Sequence, residues 1–109
     1  DEKLKKNFRK INNPLSKINK IEGCYYDWNN SARARAGLTR SNNRNMIGFK
    51  AGNIQEVEPS MVKVGKKYRT IDYSRMTVLT VEALKELSGK FDRLESENRR
   101  LHNMLRMRA

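Results

Sequence analysis

Apolar positions in the last third of the chain recur in alternating steps of three and four: Leu84, Leu87, Phe91, Leu94, Leu101 and Leu105, with Asn98 at the one polar step. That alternation is the a/d repeat of a coiled coil, in which other copies of the same helix bury a narrow apolar stripe. The spacing predicts an oligomerisation helix over residues 74–109, opening near Ser74 because Asp72 and Ser74 are both good N-cap residues. Its first turns carry Met76, Val78, Leu79 and Val81 and are apolar on more than one face. They are expected to pack on the preceding sheet before the helix emerges as a coiled coil. With Leu84 at a, Lys90 at g faces Glu95 at e of a parallel neighbour, while Glu86 with Lys90 and Glu95 with Arg99 pair favourably within one helix. Parallel alignment follows. Asn98 at a fixes register at some expense of stability, and the leucine-rich seam leaves two, three or four strands open.

Upstream the period changes. Leu4 and Phe8 stand four apart in the charge-alternating stretch 1–10, which fits a short helix or an irregular arm that uses both as anchors. Leu15, Ile18 and Ile21 recur every three residues after Asn12, Asn13 and Pro14, predicting a short helix stopped at Gly23. Cys24, Tyr25, Tyr26, Asp27 and Trp28 form an aromatic run of strand character, in which the aromatic rings are expected to be core or subunit interface. From 29 to 45 periodicity vanishes, and a long excursion of Asn, Ser, Gly and Arg is expected. Met46 to Phe49 returns to strand character, and Ala51 to Glu58 supports a helical turn with Ile54 and Val57 inward before Pro59. Val62 and Val64, then Tyr68 and Thr70, flank Gly65 and Lys66 and predict a hairpin. The fold class is thus α+β: a small antiparallel sheet with short helices, a protruding loop or arm, and a long C-terminal helix. Residues 1–73 form the small α+β part.

Composition sharpens the need for partners. With 109 residues, 33% charged and 37% apolar, a single copy hides little apolar surface, so an oligomer suits the chain better than a monomer. The one cysteine, Cys24, rules out an intrachain disulfide, and no apolar run approaches the roughly 18 to 20 residues that span a bilayer. No secretion signal is recognisable at the start, so the chain is read as soluble, with no membrane partner. No His, Cys or carboxylate cluster has metal-ligand spacing, and no metal or other cofactor is expected. His102, the only histidine, falls at an e position, where contact with Glu97 of a neighbour is the natural reading.

The net charge of +12 raises nucleic acid as a partner. Its distribution argues against it. A basic-region zipper needs cations immediately ahead of the seam on one helix, and that stretch reads Met76, Thr77, Val78, Leu79, Thr80 and Val81. Arg99, Arg100, Arg106 and Arg108 suit the negative end of the helix dipole.

The opening DEKLKKN, then GCYYDW, MIGFKAGNIQEVEPSMV, TIDYS and TVEALKELSGKFDRLE stand in an order that resembles one family. That family is the C-terminal intramolecular chaperone, or auto-processing, domain of phage tail spikes, tail fibres and neck appendages, the endosialidase type. The similarity spans nearly the whole chain outside the excursion. One departure is visible: a usual Gln-Glu pair after the alanine reads Gly52 and Asn53.

The resemblance implies a homotrimer, and hence a parallel three-stranded coiled coil. It also implies a partner in the N-terminal fibre part of the same precursor, which the domain helps to fold in the host cytoplasm during virion assembly. Self-cleavage between a serine and an aspartate then releases the domain. On this chain Asp1 matches that aspartate and Lys5 matches the lysine that acts as general base, while the serine would precede Asp1, so the chain resembles the released, inactive product. The chemistry is coherent, because a hydroxyl nucleophile needs a base and a lysine serves when a water-poor setting lowers its pKa. By residue type alone Lys5 is one solvated cation among Lys3, Lys6 and Lys10. Family members are similar in having protrusions that reach the folding fibre, and Arg33, Arg35, Arg40 and Arg44 in the excursion would serve as fibre-contacting groups. A plain trimerisation or adaptor module without self-cleavage is the second reading.

Overall fold

A computed structural model of the chain describes residues 1–29 and 45–108. The Arg-bearing excursion, with Arg33, Arg35, Arg40 and Arg44, lies outside the described residues. The chain forms two compact units, Asn19–Tyr73 and Asp1–Ile18 with Ser74–Ala109.

In the first unit, strand β1 (Gly23–Tyr26) pairs antiparallel with β2 (Met46–Phe49), setting Cys24 opposite Gly48 and Tyr25 opposite Ile47. The two ends of the excursion are tied at its base, where the Asn45 N–H donates to Asp27 Oδ1 at 2.8 Å and Asn45 takes a left-handed φ of 53°. Asparagine tolerates that conformation better than most residues. Gly48 is buried because Tyr26 and Tyr73 close over it, so that a Cβ there would lie 3.2 Å from the Tyr26 ring and 3.3 Å from the Tyr73 hydroxyl. Tyr26 meets Trp28 edge to face at 5.8 Å, and Phe49 lies 6.2 Å from Tyr73. Tyr25, expected in a core or an interface, is 75% exposed in the single chain.

Helix α2 (Ala51–Val57) follows, and Pro59 cannot extend it, so a 3₁₀ turn (Pro59–Met61) leads into β3 (Val62–Val64). β3 pairs with β4 (Arg69–Ile71) in the predicted hairpin. Gly65 is required at its turn, because a Cβ there would lie 2.9 Å from the Tyr68 carbonyl oxygen. Ile54 and Met61 are the largest fully buried side chains among the described residues. The antiparallel strands therefore form two separate ribbons, β1–β2 and β3–β4, instead of one sheet.

In the second unit, a 3₁₀ turn (Glu2–Leu4) opens an arm that reaches helix α1 (Pro14–Asn19). Leu4 and Phe8, expected as anchors, are 86% and 71% exposed. Proline at the first position presets the helical φ of α1. This helix ends before Ile21, short of the predicted stop at Gly23, because backbone groups of Lys20 and Glu22 are bound to Asn53 and leave the helical path. Helix α3 (Tyr73–Arg108) runs 36 residues, opening directly after Asp72. Met76, Leu79 and Ala83 are its buried residues. Val78 and Val81, expected to pack on the sheet with Met76 and Leu79, stay half exposed. Two positions along a helix is about 200° of turn, so these valines face away from the buried stripe.

Candidate functional site

The opening turn places the two residues singled out for chemistry. Asp1 caps it, its Oδ1 accepting from the Lys3 N–H at 3.0 Å, and the Leu4 N–H donates to the Asp1 carbonyl at 3.0 Å. Lys5 closes it, donating its backbone N–H to the Glu2 carbonyl at 3.0 Å. At about 2.0 Å of rise per residue this turn keeps Lys5 within roughly 8 Å of Asp1. An extended chain would set them about 13 Å apart. The Lys5 side chain is exposed in the single chain, so a water-poor setting is not built by one copy.

Among the described residues the seam of α3 is left uncovered. Leu84, Leu87, Phe91, Leu94, Leu101 and Leu105 are between 50% and 67% exposed, and Asn98 at the same stripe is exposed too. Six large apolar side chains on one face of a helix are costly to leave in water, at roughly 25 cal/mol for each Å². Around the stripe the two intrahelical pairs read from the sequence are present, Lys90 with Glu86 at 3.6 Å and Arg99 with Glu95 at 3.0 Å, joined by Lys85 with Glu82 at 3.3 Å. All are surface pairs that hold the helix modestly. His102 is exposed at its flank. No helix of the described residues is long and apolar enough to cross a membrane, and no three His, Cys, Asp or Glu side chains among them are gathered to hold a metal.

Asn53 carries a task that no sequence signal marked. Its Oδ1 accepts from the Glu22 N–H at 3.0 Å and its Nδ2 donates to the Lys20 carbonyl at 3.0 Å, so one amide side chain ties the segment entering β1 to α2. Gly52 beside it lies under the Arg69 guanidinium, whose nitrogens would stand 3.6 Å from a Cβ at that position, and Arg69 donates to Gln55 Oε1 at 2.8 Å. The departure thus falls where Asn53 binds backbone and Gly52 leaves room for the Arg69 guanidinium. Asp27, the clamp on Asn45, was legible only as a polar interruption of an aromatic run. Cys24 behaves as a small, partly buried residue whose thiol donates to the Gly48 carbonyl at 3.5 Å.

Comparison with known proteins places this architecture. The family model described as chaperone of endosialidase matches residues 1–63. Over 102 residues the chain is 33% identical to the long tail fiber protein Gp37 of Enterobacteria phage K3, and to that of Enterobacteria phage T2. Each alignment takes in 89% of this chain but only 8% and 7% of the respective fibre proteins, so the chain spans less than a tenth of the length of these relatives. The chain belongs to the chaperone of endosialidase family.

Proposed function

We propose that this domain is an intramolecular chaperone for a phage tail fibre: three copies zip together along α3, align three fibre chains while they fold, and are then cut away. The unsatisfied stripe from Leu84 to Leu105 carries this reading, because its a/d spacing fits other copies of the same helix and few side chains among the described residues are fully buried. The fibre is the N-terminal part of the same precursor, as the similarity to tail fibre proteins supports. The setting is the host cytoplasm during virion assembly. Arg33, Arg35, Arg40 and Arg44 are the groups assigned to touch the fibre, through charge-assisted hydrogen bonds to its carbonyls or carboxylates.

Release is a single-turnover self-cut at the bond between a preceding serine and Asp1. Lys5 takes the proton of the serine hydroxyl, a role that its match to the family's lysine supports. Exposure of Lys5 in one copy gives specific support to the second reading, a trimerisation module that is never cut. A precursor carrying the fibre, the upstream serine and Lys5→Ala separates the two. Self-cleavage predicts an uncut precursor that still assembles, read by gel electrophoresis and sedimentation. Continued processing removes Lys5 from the mechanism.

A further inference from the structure

The seam of α3 has one polar step, Asn98, which stands between Leu94 four positions before it and Leu101 three positions after it. All three side chains are exposed in the single chain. At the rise of an α-helix the two leucine layers lie about 6 Å and 4.5 Å along the axis from the Asn98 layer. Over residues 93–108 five arginines stand against two glutamates, so the potential around this layer is positive.

We propose that the associated domain holds one weakly hydrated monovalent anion, of the chloride or bromide class, on its axis at the Asn98 layer. The inference rests on the parallel trimer reading and deepens it, because no single copy can build the site. When three helices close, Asn98 of each copy meets the others on the three-fold axis, with a leucine layer on either side that shuts water out. Polar groups in such a layer must find partners there, since an unsatisfied donor is costly once buried. Three carboxamides bring six N–H donors but only three oxygens. A ring in which each amide donates to the next uses one N–H and one oxygen of each copy. It leaves one N–H per copy, and the three are equivalent by symmetry. A single acceptor on the axis answers all of them at once. Water is a poor match, because it brings two donors of its own into a layer that already has donors in excess. A halide accepts three bonds and donates none, and the surrounding arginines favour its charge. Weak hydration is required because the ion leaves its water behind on entering a leucine-walled layer.

The test compares the whole unaltered chain with Asn98→Leu, which keeps every charge and matches Leu84 and Leu105 at the other a positions. Salts are compared at constant ionic strength, so that general screening of the basic surface is the same in each. Replacing sodium fluoride by sodium bromide is expected to raise the association constant of the unaltered chain at least about tenfold by sedimentation equilibrium, because an anion bound only by the assembly favours it by mass action. Asn98→Leu is expected to lose that difference. In crystals of the unaltered chain soaked in bromide, anomalous scattering is expected to place one bromide on the three-fold axis between Leu94 and Leu101. Equal association of the unaltered chain in the two salts, an equal response in both chains, or bromide at surface arginines only overturns the anion site and leaves the trimer standing. An unaltered chain that stays single, or closes with two or four copies, overturns the trimer reading and the site with it.

Discussion

At the scale of single residues, the side chains that organise the small unit are polar ones acting on backbone. Asn53 satisfies one N–H and one carbonyl that have no strand or helix partner, and replacing it leaves both to water. Asn53→Ala is expected to lower stability by about 1 to 2 kcal/mol in denaturant titration, in line with two bonds partly open to solvent, with no change in the mass of the associated species. Restoring the wild-type midpoint in the alanine variant would contradict the clamp. Neither Asn53 nor Asp27 was legible beforehand, because a long-range bond from an amide or carboxylate to distant backbone leaves no periodic trace. Ile54 was legible, since its helical spacing from Val57 on a short apolar face marks an inward position, and it is fully buried.

At the scale of elements, periodicity was informative in proportion to its length. The 36-residue α3 and the hairpin around Gly65 follow the sequence pattern closely. The three-residue spacing of Leu15, Ile18 and Ile21 overran the helix it predicted, because tertiary bonds at Lys20 and Glu22 outweighed a weak local preference. Leu4 and Phe8 have the spacing of anchors yet stay exposed, since a pattern reports that a side chain needs cover without saying whether cover comes from its own chain. Gly89 offers an independent handle on α3. It occupies an f position, with no atom outside its own helix backbone within 4 Å of where a Cβ would stand. Gly89→Ala is expected to stabilise the helix by about 0.5 to 1 kcal/mol, seen as a higher melting temperature by circular dichroism at unchanged assembly mass. A lower melting temperature would show that this face is packed.

At the scale of the whole molecule, the distribution of apolar surface points outward. Among the described residues the buried side chains are few, and the large apolar residues of the seam, with Leu4 and Phe8 of the arm, stay in water in a single copy. In a precursor carrying the proposed fibre, Leu94→Asn with Leu101→Asn is expected to abolish fibre assembly, because two polar steps added to Asn98 break the middle of the seam. Normal fibre assembly by that variant would remove the seam from the mechanism. The most direct measurement is the mass of the unaltered domain by analytical ultracentrifugation across micromolar dilution. Self-association along α3 predicts a species of three times 12.8 kDa whose melting temperature falls on dilution. A 12.8 kDa particle that melts cooperatively at a concentration-independent temperature would contradict it.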